Sequence, residues 1–348
     1  MKAAIFKGKG RVEVEERPKP EIKEQTDAVV RVVLSCVCGS DLWYFRGLAD
    51  HPVGPIGHEM IGVVEEVGQE VKDIKKGDFV ITPFAISDGV CPHCRNGFHT
   101  ACSKGGFFGS GEEGMGCQAE FVRVPQADGT LAVVPGSEFS EEKLASLLTL
   151  SDVMGTGYHA AVSAQVKEGD TAAVVGDGAV GLSGVLSAKL LGAKRIIVLG
   201  STHKNRQELA KDFGATDIVS ARGDEAIKEV MVLTDGVGAD AVLECVGTKE
   251  ANETCFAIAR PGAIVGRVGL PHEVQIDAMG TFFRNIGMRG GPAPVRAYVG
   301  RLLEAVLKDE INPGKVFDLK TDLDHIQEAY EAMDERRAIK SLLKVSNL

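Results

Sequence analysis

Thr171-Ala172-Ala173-Val174-Val175-Gly176-Asp177-Gly178-Ala179-Val180-Gly181 decides the architecture of this chain. A short β-type run ends in G-x-G-x-x-G and opens into residues 179–191, whose apolar positions have helical spacing. The glycine pattern alone is common, but between a strand and a helix it signals a dinucleotide-binding turn. Its three glycines give a tight turn, close backbone approach to a pyrophosphate, and close helix–strand packing. The helix start at Ala179 and Val180 then turns free N–H groups toward phosphate, so Gly176, Gly178, Ala179, Val180 and Gly181 are candidate cofactor contacts. A glycine-rich loop with no ligand is the competing reading.

The pattern continues on the C-terminal side. Residues 195–199 read as a second strand, 205–213 as a second helix, and 240–244 and 262–266 as further strands. Such alternation implies a parallel, doubly wound sheet. Before about residue 150 the chain reads differently, as short β segments such as 28–35 and 62–67 broken by Gly and Pro. The last fifty or so residues, from near Pro292, offer helices at 298–308 and 323–334 and a short strand at 341–345. At 348 residues two domains are expected.

Composition excludes some classes. A formal net charge of −10 disfavours nucleic acid or an anionic membrane as the main partner. No apolar run approaches the roughly 20 residues that span a bilayer. The start, Met1-Lys2-Ala3-Ala4-Ile5-Phe6-Lys7, lacks a signal-peptide core, so a cytoplasmic protein is expected. Eight cysteines in such a chain point to metal ligands or buried thiols rather than disulfides. Cys117, Cys245 and Cys255 stand outside any metal spacing.

The end of the second strand bears on which nicotinamide binds. An NAD site places Asp or Glu there to bond the ribose 2′-OH. Here the position, 24 residues after Gly176, is Gly200, followed by Ser201-Thr202-His203-Lys204-Asn205-Arg206. Ser201 as donor with His203, Lys204 or Arg206 as cation would suit a 2′-phosphate, so NADP(H) is preferred over NAD(H). A solvated first helical turn is the alternative. The expected cofactor-contact set also includes Cys245 and Val268.

Cys38 and Gly57-His58-Glu59 bring together thiolate, imidazole and carboxylate, the ligand types of zinc. The segment Gly57-His58-Glu59-Met60-Ile61-Gly62, with Gly68 beyond it, closely resembles the zinc signature of the medium-chain dehydrogenase/reductase family. Cys38-Gly39-Ser40-Asp41 resembles that family's first-ligand segment, and the resemblance runs from Met1-Lys2-Ala3 to Ala338-Ile339-Lys340. It implies a GroES-like β-rich catalytic domain at 1–153 and 292–348, interrupted by a Rossmann nucleotide-binding domain at 154–291. It also implies zinc and nicotinamide meeting in the cleft between them.

The family's third zinc ligand precedes a Thr-Gly-Tyr-like segment. The corresponding stretch here is Leu150-Ser151-Asp152-Val153-Met154-Gly155-Thr156-Gly157-Tyr158, so the resemblance puts Asp152 in the ligand place. That resembles the bacterial secondary alcohol and formaldehyde dehydrogenase branches rather than the animal liver-type enzymes, which have cysteine. Glu59 stands by as an alternate or supporting ligand, and Asp41 as the partner that fixes the His58 tautomer. By the same resemblance Ser40 carries the proton outward and Lys340 reaches the cofactor pyrophosphate, otherwise being a surface lysine. Trp43 replaces the histidine that ends many relatives' proton relay, with His51 as a conceivable substitute.

The family's second, structural zinc uses four cysteines spaced by two, two and seven residues. Cys91, Cys94 and Cys102 keep the last two spacings, and Asp88 occupies the first place. Asp88, His93 or His99 would complete a tetrahedron; an empty lobe held by packing is the alternative. The expected protein is a zinc-dependent alcohol dehydrogenase or carbonyl reductase, passing hydride between an alcohol, aldehyde or ketone partner and NADP(H), as a homodimer or homotetramer. The alternative is a metal-independent nucleotide-binding relative of the quinone reductase or crystallin type. Trp43, Tyr44, Phe107 and Phe108 line an apolar substrate pocket or belong to the core.

Overall fold

A computed structural model describes residues 1–136 and 138–348. It divides into two compact units, Met1–Asp152 with Pro294–Leu348, and Val153–Ala293. The first is β-rich, as expected of the GroES-like domain, and the second is built on one six-stranded parallel sheet, as expected of the Rossmann domain.

The first unit is organised around the strand Ala28–Cys36, in which every residue but Arg31 is buried. A strand so uniformly apolar belongs in the middle of a sheet. It pairs antiparallel with Met60–Val67, with Phe121–Val124 and with the C-terminal strand Lys340–Lys344. Phe79–Thr82 extends the sheet beyond Met60–Val67, and Phe317–Asp322 lies parallel to Lys340–Lys344. The helix expected at 298–308 begins earlier, as Val295–Leu307, because Pro294 is compatible with a helix start. The one expected at 323–334 is split into a 3₁₀ turn, Leu323–His325, and a helix, Ile326–Asp334. His325 Nδ1 lies 2.7 Å from Asp322 Oδ1, an interaction that favours the tight turn.

In the second unit β1 (Thr171–Val175) leads into α1 (Ala179–Leu190), and β2 (Arg195–Leu199) into α2 (Lys204–Phe213). Then follow β3 (Asp217–Val219), β4 (Ala239–Glu244), β5 (Ala259–Arg267) and β6 (Gly287–Gly290). All neighbours are parallel, in the order β3-β2-β1-β4-β5-β6. Strand order reverses between β1 and β4, and ligands of such sheets bind at the carboxyl ends of the strands flanking that point.

The turn from β1 to α1 tolerates no side chain at Gly181, since a Cβ there would lie 2.0 Å from the Gly176 carbonyl oxygen. Gly181→Ala must push backbone against backbone. We expect it to cost about 1–3 kcal/mol, read as a lowered melting temperature by calorimetry. An unchanged melt would show that the turn has slack.

Candidate metal centre and nucleotide site

Antiparallel register explains why Cys38 meets His58. Ser35 pairs with Met60, so the residues leaving one strand lie beside those entering the other. On the far side Met60 pairs with Thr82, and just beyond it the Phe84 N–H donates to Ser151 O at 3.0 Å. That bond fixes the turn after the helix Glu141–Thr149 and delivers Asp152. One donor-type atom from each of Cys38, His58, Glu59 and Asp152 lies within 4.8 Å of the others. Asp152 Oδ2 is 3.6 Å from Cys38 Sγ and 3.2 Å from His58 Nε2.

Asp41 orients two of these groups. Its Oδ2 accepts the Cys38 N–H at 2.9 Å, and its Oδ1 lies 3.3 Å from His58 Nδ1. Pairing Nδ1 with a carboxylate favours the tautomer whose Nε2 is free to act as a ligand. Behind Asp41, Gln118 Nε2 donates to Cys36 O at 3.1 Å and to Asp41 Oδ2 at 3.4 Å. The hydroxyl of Tyr330 donates to Gln118 Oε1 at 3.0 Å. Gln118 and Tyr330, both fully buried, carry no signal in the sequence. Their partners lie far along the chain, and no local spacing marks them.

Glu59 is fully buried, with Oε1 on Lys340 Nζ at 2.6 Å and Oε2 without a hydrogen-bond partner. Lys340, expected at the cofactor pyrophosphate or else on the surface, is 1% exposed, and its ammonium is committed to Glu59 and to Val37 O at 3.0 Å. A buried ammonium needs a buried counter-charge, and Glu59 is that charge. Burial and the Glu59 charge raise the Cys38 pKa. Burial opposes a proton on His58, but Asp41 and Cys38 outweigh it and hold its pKa well above the usual value.

Ser40 is partly exposed and precedes the short helix Asp41–Phe45. His51 does not take the relay place left by Trp43. Its ring nitrogens are 2.7 Å from Pro52 O and from Gly109 O, and its ring packs on Phe6 and Tyr44. Of the candidate pocket aromatics, Phe108 is core at 3% exposure, whereas Phe107 stacks on Phe84, which meets His58 edge-on.

The second cluster gathers Asp88, Cys91, Cys94 and Cys102, again with donor-type atoms within 4.8 Å of one another. Cys91 Sγ is 3.5 Å from Cys94 Sγ and 3.9 Å from Cys102 Sγ. Asp88 Oδ1 accepts the N–H groups of Val90 and Cys91 at 2.9 Å, which outweigh burial and hold its pKa down to about 2. Hydrogen bonding, from the Cys94 backbone first, draws the Cys91 thiol down to about 6, while burial pushes Cys94 up to about 12. Neither His93 nor His99 joins this set; burial and the nearby Arg296 lower the His99 pKa.

In the Rossmann unit, Gly176 (φ +113°) turns the chain and Gly178 caps α1. A Cβ on Gly178 would meet nothing within 4 Å, so the cradle in front of the Ala179 and Val180 N–H groups is open. Cys245 follows β4 and Val268 follows β5, with Val268 N–H donating to Glu244 O at 2.9 Å. Burial raises the Cys245 pKa well above its ordinary value. At the end of β2, Ser201 and Arg206 are buried while His203 and Lys204 are exposed. The carboxylate of Asp177, overlooked in the sequence, accepts the Ser201 N–H at 2.7 Å.

Comparison with known proteins agrees with both halves. Residues 24–136 match the alcohol dehydrogenase GroES-like domain and 179–302 the zinc-binding dehydrogenase domain. Zinc-type alcohol dehydrogenase B of Aspergillus flavus is 37% identical over 99% of this chain and 81% of its own length. The chain belongs to the zinc-type medium-chain alcohol dehydrogenase family. Among solved structures of this family, alcohol dehydrogenase TADH from Thermus sp. ATN1 is 32% identical with a TM-score of 0.92, covering 99% of this chain and 100% of that one. Zinc-dependent alcohol dehydrogenase 2 from Streptococcus pneumonia, in its apo form, is 32% identical with a TM-score of 0.88, covering 100% of both chains.

Membership of this alcohol dehydrogenase family implies zinc and a nicotinamide cofactor. The chain fits both. Sulfur, nitrogen and carboxylate donors converge on one point beside an orphaned carboxylate oxygen, and the glycine turn leaves an open cradle at a helix N-terminus. Among the described residues no helix is long and apolar enough to cross a membrane. The Glu59–Lys340 pair predicts a stability effect. Lys340→Met strands a buried carboxylate and is expected to cost about 3–5 kcal/mol in denaturant unfolding, partly recovered by adding Glu59→Gln. Equal midpoints for wild type and Lys340→Met would show that the pair carries no stability.

Proposed function

We propose that the protein is a zinc-dependent alcohol dehydrogenase, exchanging hydride between a small alcohol and a nicotinamide dinucleotide, and in reverse reducing an aldehyde or ketone. The convergence of Cys38, His58 and Asp152 beside Glu59 carries this reading. Cys38 Sγ, His58 Nε2 and an oxygen of Asp152 would hold the metal, with Glu59 as a further donor close by. Bound zinc supplies Lewis acidity, lowering the pKa of an alcohol oxygen and polarising a carbonyl. Asp41 keeps the proton of His58 on Nδ1, and Lys340 offsets the charge of Glu59. Ser40, partly exposed, passes the alcohol proton to water in a chain that has Trp43 where relatives have a relay histidine. Asp88, Cys91, Cys94 and Cys102 would hold a second zinc that only supports the lobe.

Two readings of the dinucleotide rest on different residues. Gly200 in place of an acid, with Ser201 and Arg206 beside it, supports NADP(H). Asp177, whose carboxylate reaches the same residues, supports NAD(H). A reducing compartment, the cytoplasm, fits eight unpaired cysteines. A homo-oligomer, dimer or tetramer, is supported by the edge strand β6 and by exposed Met279, Phe282 and Phe283 in the same unit.

Metal analysis combined with alcohol-dependent reduction of the dinucleotide tests the proposal. Cys38→Ser or removal of zinc is expected to lower kcat by roughly a hundredfold or more. Full turnover in a zinc-free protein would refute it. Asp88→Ala is expected to release one zinc equivalent and lower the melting temperature, with the catalytic equivalent retained. Unchanged zinc content would dismiss the lobe site.

A further inference from the structure

Gly200 stands where a dinucleotide-binding unit ordinarily carries the acid that receives the ribose 2′-OH. The space such a side chain would fill is already taken. A Cβ on Gly200 would lie 2.7 Å from Asp177 Cβ and 2.8 Å from Asp177 Oδ2. Asp177, the middle residue of Gly176-Asp177-Gly178, turns its carboxylate onto the end of β2 and accepts both the N–H and the hydroxyl of Ser201. Arg206, in the first turn of α2, donates through Nη1 to Asp177 O at 3.1 Å. The same nitrogen lies 3.8 Å from Asp177 Oδ1. Both Ser201 and Arg206 are 8% exposed, so this cluster is built into the fold rather than resting on its surface.

We infer that Asp177 is the dinucleotide-specificity residue of this enzyme and makes it selective for NAD(H). From the first loop it supplies the carboxylate that the second strand lacks. The inference rests on the reading that the glycine turn binds a nicotinamide dinucleotide, and it decides between the two cofactors.

Three features carry it. The Ser201 donors that a 2′-phosphate would use are committed to a carboxylate. The guanidinium of Arg206 is tied to the Asp177 backbone and faces the same negative charge. Asp177 also sits between two glycines of the pyrophosphate turn, which puts its carboxylate in the same loop as the expected phosphate contacts. A ribose 2′-OH can donate to a carboxylate at this strand end, in a charge-assisted bond. A dianionic 2′-phosphate at this strand end would meet the like charge of a partly buried carboxylate. Gly200 gains a purpose in this arrangement, because any larger residue would displace the carboxylate.

The test is binding, separate from catalysis. Dissociation constants for NADH and NADPH are measured by nucleotide fluorescence on the zinc-loaded protein, for wild type, Asp177→Asn and Gly200→Ala. Wild type is expected to bind NADH roughly tenfold or more tightly than NADPH. Asp177→Asn removes the charge with little change of shape and should shift that ratio toward NADPH by roughly tenfold or more. Gly200→Ala pushes the carboxylate aside and should shift it in the same direction, which keeps the inference testable if Asp177→Asn does not fold. Tighter binding of NADPH by wild type would overturn the inference, as would an unchanged ratio in the folded variants. A protein that discriminates as expected but oxidises no alcohol would sink the proposed function and leave this inference standing.

Discussion

The ammonium of Lys340 and the carboxylate of Glu59, 281 residues apart in sequence, meet at 2.6 Å with neither exposed beyond 1%. Breaking such a pair from one side leaves an uncompensated charge in the interior. Around it the first unit is ordered. Lys340 opens the strand that pairs with Ala28–Cys36, and Glu59 directly precedes the strand on the other side of that same element. Cys38 and His58 flank these two residues in sequence or space. The metal donors are therefore held by the geometry of the sheet more than by their own loops.

Much of the Rossmann unit was legible because its signals are local. The strands Thr171–Val175 and Arg195–Leu199 lie where apolar runs put them, and α1 ends within a residue of its expected limit. Helices without a polar stripe were harder. Val153–Ser163 is buried on nearly every side, so it has no amphipathic period to read. At the metal centre, donor chemistry picked out Cys38 and His58, and family resemblance added Asp152. Nothing local in the sequence indicates Gln118, which reaches Asp41 across the core, or Tyr330, which holds Gln118. Lys340 is unreadable for the same reason, since neither the pyrophosphate role that resemblance implies nor a surface position reveals its buried partner Glu59.

Nucleotide choice shows a different limit. A rule that inspects the end of one strand finds Gly200 and counts the nearby cations. The folded chain brings a second loop to that strand end, and the acid comes from there. Charge at a site is a sum over everything the fold delivers to it. Ser201 and Arg206 counted as phosphate donors in isolation have a carboxylate as their neighbour.

The interrupted first unit also imposes an order on biosynthesis. The Rossmann segment, Val153–Ala293, is continuous and can leave the ribosome whole. The GroES-like unit cannot close until Lys340–Lys344 has been made and inserted beside Ala28–Cys36. Until then Glu59 lacks its lysine, and the nascent protein carries an acidic, thiol-bearing pocket with a missing wall. Closure of the donor cluster around Cys38 and His58 therefore waits for a strand made long after the donors themselves.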